Sequence, residues 1–342
     1  MRFPRIIIAG AARVCLGAVS LAAERPAAMV ASQAFRISTA HGSASEPLAI
    51  SLDWSKPQPG IRRAVIVFHG VGRDVNGYYR TLQDAAEQAG AAARGTILIA
   101  PQFLDEEDIR ANRLASDVLR WRHASWEAGA PAVAPLSLSS YDVVDALLMR
   151  LADRSVFPDL KTVVLAGHSG GGQLVQRYAV VGKAAVALAS AGIHLRYIIA
   201  NPSSYLYFSD ERPAQFRSGS CRDFNHWKYG PIDPPAYVKL DAANAWSQRE
   251  ANYAQQDVIY LLGDADIDPH QKDLDTSCGA EAQGRTRFVR GQAYFAYLHA
   301  RHPSGWSQRM WFVPGVAHSA RKMFTSTCGI NVIFDTGTCP DQ

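Results

Sequence analysis

Beyond residue 23 the chain has no uninterrupted apolar run long enough to span a bilayer. It has no Lys/Arg run or basic stripe either, which argues against nucleic acid and anionic membrane surfaces as partners. No internal repeat or low-complexity tract interrupts it, so repeat arrays and disordered linkers fall away. Cysteines are few, five in 342 residues, and no two of the last four stand at a two-residue spacing, which removes the usual zinc pattern. A Gly-Lys-Ser/Thr phosphate loop and a His-Glu-x-x-His metal motif are both missing. Gly70-Val71-Gly72 lacks the further glycine of a dinucleotide fingerprint and the acid after the next strand. Neither a metal nor an organic cofactor is expected.

What remains is a chain that is 48% apolar and 19% charged, enough to bury a full core. One large α/β domain over residues 24–342 fits that length better than two equal domains. Residues 1–23 read as a secretory signal: Arg2 and Arg5 precede the apolar run Ile6–Ala12, and a second run, Val14–Ala23, ends in small residues. Arg13 interrupts the apolar region, and an uncleaved anchor is the alternative. Without the leader's three arginines the formal charge of +4 falls to about +1. The expected location is secreted or periplasmic, with no stable membrane association after signal removal. Four cysteines then remain, an even set that reads as two disulfides with three possible pairings. Cys328 with Cys339, closing a small C-terminal loop, is favoured, which leaves Cys221 with Cys278. Each bridge contributes roughly 2–4 kcal/mol by restricting the unfolded chain.

Short, nearly continuous apolar runs recur at 64–68, 96–100, 162–166, 196–200, 257–262 and 309–313, with an earlier strand at 48–54. Strands of this kind belong to a parallel sheet covered on both faces. Helical patterns near 78–90, 140–152, 171–181 and 286–300 alternate with them, which predicts a doubly wound, mostly parallel α/β fold. Two connections, 102–139 and 201–256, are too long for simple crossovers. They leave the C-terminal ends of strands, where open α/β sheets bind ligands. Trp121, Trp126, Tyr205 and Trp227 within them are the candidate substrate-binding aromatics. The bland alternative is that they pack the insertions onto the body.

The most informative segment is Gly167-His168-Ser169-Gly170-Gly171, set between an apolar strand and a helical stretch. A strand–turn–helix with serine at its apex holds the hydroxyl clear of the sheet, and glycines allow the pinched backbone. An ordinary capping serine is the competing reading. A seryl hydroxyl needs an imidazole to take its proton and a carboxylate to orient that imidazole. In such a sheet they follow the nucleophile in the order acid, then base. Gly263-Asp264-Ala265-Asp266-Ile267-Asp268 leaves a later strand, and Asp266 is preferred over Asp268 and Asp264. After the last strand, Pro314-Gly315-Val316-Ala317-His318 supplies the base, with His270 a weaker candidate. The oxyanion donors are expected to be the N–H groups of Gly170 and of Val71, or Gly72, in the His69–Asp74 loop. His69 reads as a brace for that loop.

His69-Gly70, the Gly-x-Ser-x-Gly pentapeptide, Gly263-x-x-Asp266 and His318 together resemble the α/β-hydrolase superfamily over about residues 48–325. The signal segment and the cysteine-bearing insertion resemble secreted bacterial serine esterases, many of which carry a lid-like insertion between strands 6 and 7. The resemblance implies an exported serine hydrolase that cleaves carboxylic esters through an acyl-enzyme without metal or cofactor. Its substrate partner would be a small-molecule or polymeric ester. A polyester or β-diketone polymer hydrolase, a peptidase of the same fold, and a catalytically silent binding domain are the alternatives.

Overall fold

The computed structural model describes residues 26–213, 216–217, 219, 221–238, 245–337 and 339, so the expected signal segment lies outside the described residues. Eight strands form one sheet: β1 (Gln33–Thr39), β2 (Gly42–Ile50), β3 (Arg63–Phe68), β4 (Thr96–Pro101), β5 (Thr162–His168), β6 (His194–Ala200), β7 (Asp257–Gly263) and β8 (Arg309–Val313). Their spatial order is β1-β2-β4-β3-β5-β6-β7-β8. The strands from β3 onward run parallel, while β2 lies antiparallel to both β1 and β4. The helices are α1 (Val75–Ala89), α2 (Glu106–Ala111), α3 (Ser140–Ala152), α4 (Gly170–Val181), α5 (Ala185–Ser190), α6 (Trp246–Ala254), α7 (Cys278–Glu281), α8 (Arg287–Arg301), α9 (Ala320–Phe324) and α10 (Thr327–Phe334).

Successive side chains of a strand point to opposite faces, so a strand buried on both sides feeds two cores. In β3, Ile66 and Phe68 pack with residues of α3, α4 and α8, whereas Val65 and Val67 pack with α1, α9 and α10. The sheet is therefore doubly wound, and the apolar runs are continuous because neither face meets water. The N-terminal edge differs from expectation. The strand expected at 48–54 begins at Gly42 and ends at Ile50, and β1 pairs with it in a hairpin. Only Ile37 of β1 is buried, so this edge strand carries no apolar alternation to read.

The 102–139 insertion contains α2 and sends Trp121 and Trp126 into the core. Between β6 and α6 the second insertion contributes no α-helix or strand among the described residues. It lies against the body rather than as a separate unit: Trp227 Nε1 donates to Ala128 O (2.7 Å), and Arg177 Nε donates to Lys228 O (3.0 Å). Cys221 pairs with Cys278 and Cys328 with Cys339, the favoured combination. The first bridge ties the insertion to α7, and the second closes a loop around α10. No helix among the described residues is long and apolar enough to cross a membrane.

Candidate active site

Ser169 joins β5 to α4 with φ 59° and ψ −121°. A capping serine has an extended backbone and accepts a hydrogen bond from its helix's first turn. Ser139 does this for α3, accepting from Tyr141 N, but Ser169 makes no such bond. Its hydroxyl is left for the cleft, and the left-handed backbone costs on the order of 1–3 kcal/mol. Neighbouring glycines make the turn possible. A Cβ at Gly167 would lie 2.1 Å from Gly171 O, and one at Gly171 would lie 2.2 Å from Phe68 O.

The loops after β7 and β8 meet beside this turn. Asp266 Oδ2 accepts from His318 Nδ1 at 2.8 Å. A proton held on Nδ1 leaves Nε2 with a free lone pair, the tautomer of a general base. Asp266 is 2% exposed, and its other oxygen lies 3.6 Å from the buried Arg287 guanidinium. Arg287 Nε donates to Ser203 Oγ at 3.0 Å. Burial pulls the Arg287 pKa down, and the Asp266 charge opposes that pull. The rival carboxylates are engaged by backbone: Asp264 accepts from Gly315 N across the two loops (2.7 Å), and Asp268 accepts from His270 N within its own turn (2.9 Å). His270 is exposed.

Ser169 and His318 line one cleft of about 200 Å³ together with Gly70, Val71, Tyr78 and His168. No hydrogen bond joins the Ser169 hydroxyl to the imidazole among the described residues. Catalytic hydrogen bonds of this kind are often long until substrate is bound. His168, a mere spacer in the pentapeptide pattern, packs its ring 4.4 Å from that of His318. Tyr78 Oη lies 3.1 Å from His168 Nδ1, whereas the buried Nε2 has no partner. Burial, reinforced by the neighbouring His318 ring and the Arg287 guanidinium, holds His168 well below the ordinary imidazole range, so it is neutral.

The Val71 amide nitrogen lies 3.2 Å from where a Gly170 Cβ would stand. Neither the Val71 nor the Gly170 N–H donates to a backbone carbonyl among the described residues. Two unspent donors thus stand close together at the mouth of the serine turn. The Val71 loop is held from beneath. Phe103 N donates to His69 Nε2 (2.9 Å), so Nδ1 carries the proton and donates to Gly70 O (2.8 Å). Burial drives the His69 pKa down to about 4, which keeps it neutral. Arg73, also buried, reaches Asp108 at 2.7 Å and Asp105 at 3.4 Å.

The four candidate substrate-binding aromatics do not line this cleft. Trp121, Trp126 and Tyr205 are fully buried, and Trp227 is half-buried against Trp246. Trp126 stacks on Phe103 at 5.1 Å, and Tyr205 stacks on Tyr294 at 4.6 Å. Each fastens an insertion to the body, because a large apolar ring gains more from full burial than a polar cleft offers. A second chamber, about 240 Å³, adjoins the cleft through Val71 and Asp273 and is lined by Glu127, Gln173, Lys228 and Asp275. Another cavity, about 660 Å³, surrounds Phe216, Ala282 and the Cys221–Cys278 bridge and shares no lining residue with the serine cleft.

Solved structures resemble the chain over most of its length, two of them as follows. The poly(3-hydroxybutyrate) depolymerase LpqC from Bordetella parapertussis is 22% identical, with a TM-score of 0.60 over 90% of this chain and 91% of its own. The poly(aspartic acid) hydrolase-1 from Sphingomonas sp. KT-1 is 19% identical, with a TM-score of 0.57 over 86% and 96%. No family model and no curated protein matches the chain. Both likenesses are of fold.

Proposed function

We propose that this chain, which has the α/β-hydrolase fold, is an exported serine hydrolase that cleaves carboxylic esters. Ser169 Oγ attacks the carbonyl carbon while His318 Nε2 takes its proton, and Asp266 steadies the resulting imidazolium. The carbonyl oxygen, now anionic, accepts from the N–H groups of Gly170 and Val71. Collapse breaks the ester C–O bond, His318 returns the proton to the departing alcohol, and an acyl-Ser169 remains. Water repeats the sequence and releases the acid. The reading rests chiefly on one observation: an uncapped serine at φ 59° shares a cleft with an imidazole whose Nδ1 is 2.8 Å from a buried carboxylate. The two disulfides fit an oxidising compartment.

A fluorophosphonate probe should label Ser169, and Ser169→Ala should stay folded while losing ester turnover by about 10⁶-fold. Persistent turnover in that variant would remove the assignment. A polymer-directed reading has its own support, since both similar structures are named for polymer substrates. Release of soluble acid from polyester particles, compared with p-nitrophenyl ester turnover, discriminates the two. Cleavage of aminoacyl amides with negligible ester turnover would favour a peptidase.

A further inference from the structure

The chamber next to the serine cleft is lined chiefly by charged and polar side chains, with Val71, Ala124 and Leu274 beside them. Glu127, on the insertion after β4, is 5% exposed. Its Oε2 accepts from Gln173 Nε2 at 2.7 Å and lies 3.4 Å from where a Gly170 Cβ would stand. A carboxylate therefore stands beside an amide that faces the developing oxyanion. Its Oε1 takes the Lys228 ammonium, which also reaches Asp275 Oδ2 at 3.2 Å. Burial disfavours the Lys228 charge, but Glu127 and Asp275 outweigh it and leave the amine firmly protonated. At the mouth, Asp273 and Lys272 are exposed and make no ion pair among the described residues. Three carboxylates thus face two ammoniums.

Each carboxylate oxygen can accept two hydrogen bonds, so both oxygens of Glu127 retain capacity toward the chamber. An alkyl group seated there would strip water from these oxygens and return nothing. A donor would replace that water and would also shield the oxyanion from the Glu127 charge. We propose that this chamber binds a hydrogen-bond-donating group of the substrate, a hydroxyl or an ammonium, a few bonds from the scissile carbonyl. The inference rests on the hydrolase reading and specifies its substrate class.

The test uses three p-nitrophenyl esters of equal size, butyryl, 3-hydroxypropionyl and β-alanyl, whose acyl groups end in methyl, hydroxyl and ammonium. Propyl and 2-hydroxyethyl acetate repeat the comparison on the alcohol side. Each kcat/KM is divided by the ester's own rate with hydroxide. Donor-bearing esters should exceed their alkyl partners by about 10-fold or more on one side of the carbonyl, the scale of a hydrogen bond to a charged group. Glu127→Gln should shrink that ratio at least about threefold. Asp273→Asn, at an exposed site that tolerates substitution, should shrink the ammonium ratio. Alkyl esters equal or superior on both sides would overturn the inference, as would ratios unmoved in both folded variants. Active enzyme that labels with fluorophosphonate but shows flat ratios sinks this inference alone. Absence of both labelling and turnover sinks the hydrolase reading beneath it.

Discussion

Asp266→Asn tests the acid–base pair more sharply than deletion does, because Arg287 dictates which way the new amide turns. The carboxylate now offers one oxygen to His318 Nδ1 at 2.8 Å and the other to the guanidinium at 3.6 Å. An amide has one oxygen, and the buried cation attracts it. The NH₂ group then faces His318 and donates to Nδ1, forcing the proton onto Nε2. That imidazole is the wrong tautomer to accept from Ser169, and kcat should fall by about 10⁴-fold. Arg287 also loses its counter-charge while buried, a change worth about 3–5 kcal/mol of stability. Adding Arg287→Met removes the orienting cation, so the amide oxygen can turn toward His318. The double variant should regain part of the stability and about 10- to 100-fold of the activity, the scale of one charged hydrogen bond. Urea denaturation and p-nitrophenyl acetate kinetics at one pH read both effects. A single variant within tenfold of wild type, or a folded double variant less active than the single, would refute the reasoning.

Gly167→Ala forces a methyl to 2.1 Å from Gly171 O; an overpacking cost of about 3 kcal/mol or more should lower Tm by roughly 5–10 °C, readable by calorimetry. His69 is held to about 4 by burial, below its ordinary 6.5, so its stabilising share is whole above pH 6.5 and drains away as pH falls toward 4. About 3 kcal/mol should go over that interval, and urea midpoints at pH 7, 5.5 and 4.5 should fall less steeply in His69→Gln. Tyr78→Phe deletes the hydroxyl beside His168 Nδ1; kcat should drop about tenfold with KM little changed, and an unaltered kcat would exclude Tyr78 from positioning the two adjoining imidazoles.

The groups gathered at the cleft were readable because local backbone rules fix them. Ser169 is set by a strand, a glycine-pinched turn and a helix, while Asp266 and His318 each sit on the loop that leaves a strong apolar strand. Parallel strands deliver their ends to one edge, so chain order carried spatial meaning. Buried charges were not readable. Lys228 meets Glu127 across 101 positions, and nothing near either residue distinguishes it from a solvated charge. Arg287 opens an amphipathic helix where exposure would be the ordinary assumption, and only the fold turns it onto Asp266. The aromatics misled for the reciprocal reason: Trp121 and Trp126 advertise apolar area, but not whether a ligand or the core will take it.

The loops after the last two strands carry Asp266 and His318 as one fastened piece. Asp264 Oδ1 grips Gly315 N, and Ala265 N donates to Val316 O, so the loops carrying Asp266 and His318 are stitched directly to each other. During synthesis the Gly167–Gly171 turn emerges long before residues 257–318. On the proposed mechanism a nascent chain therefore presents Ser169 without its partners until the last quarter of the polypeptide, from β7 onward, has packed beside β6.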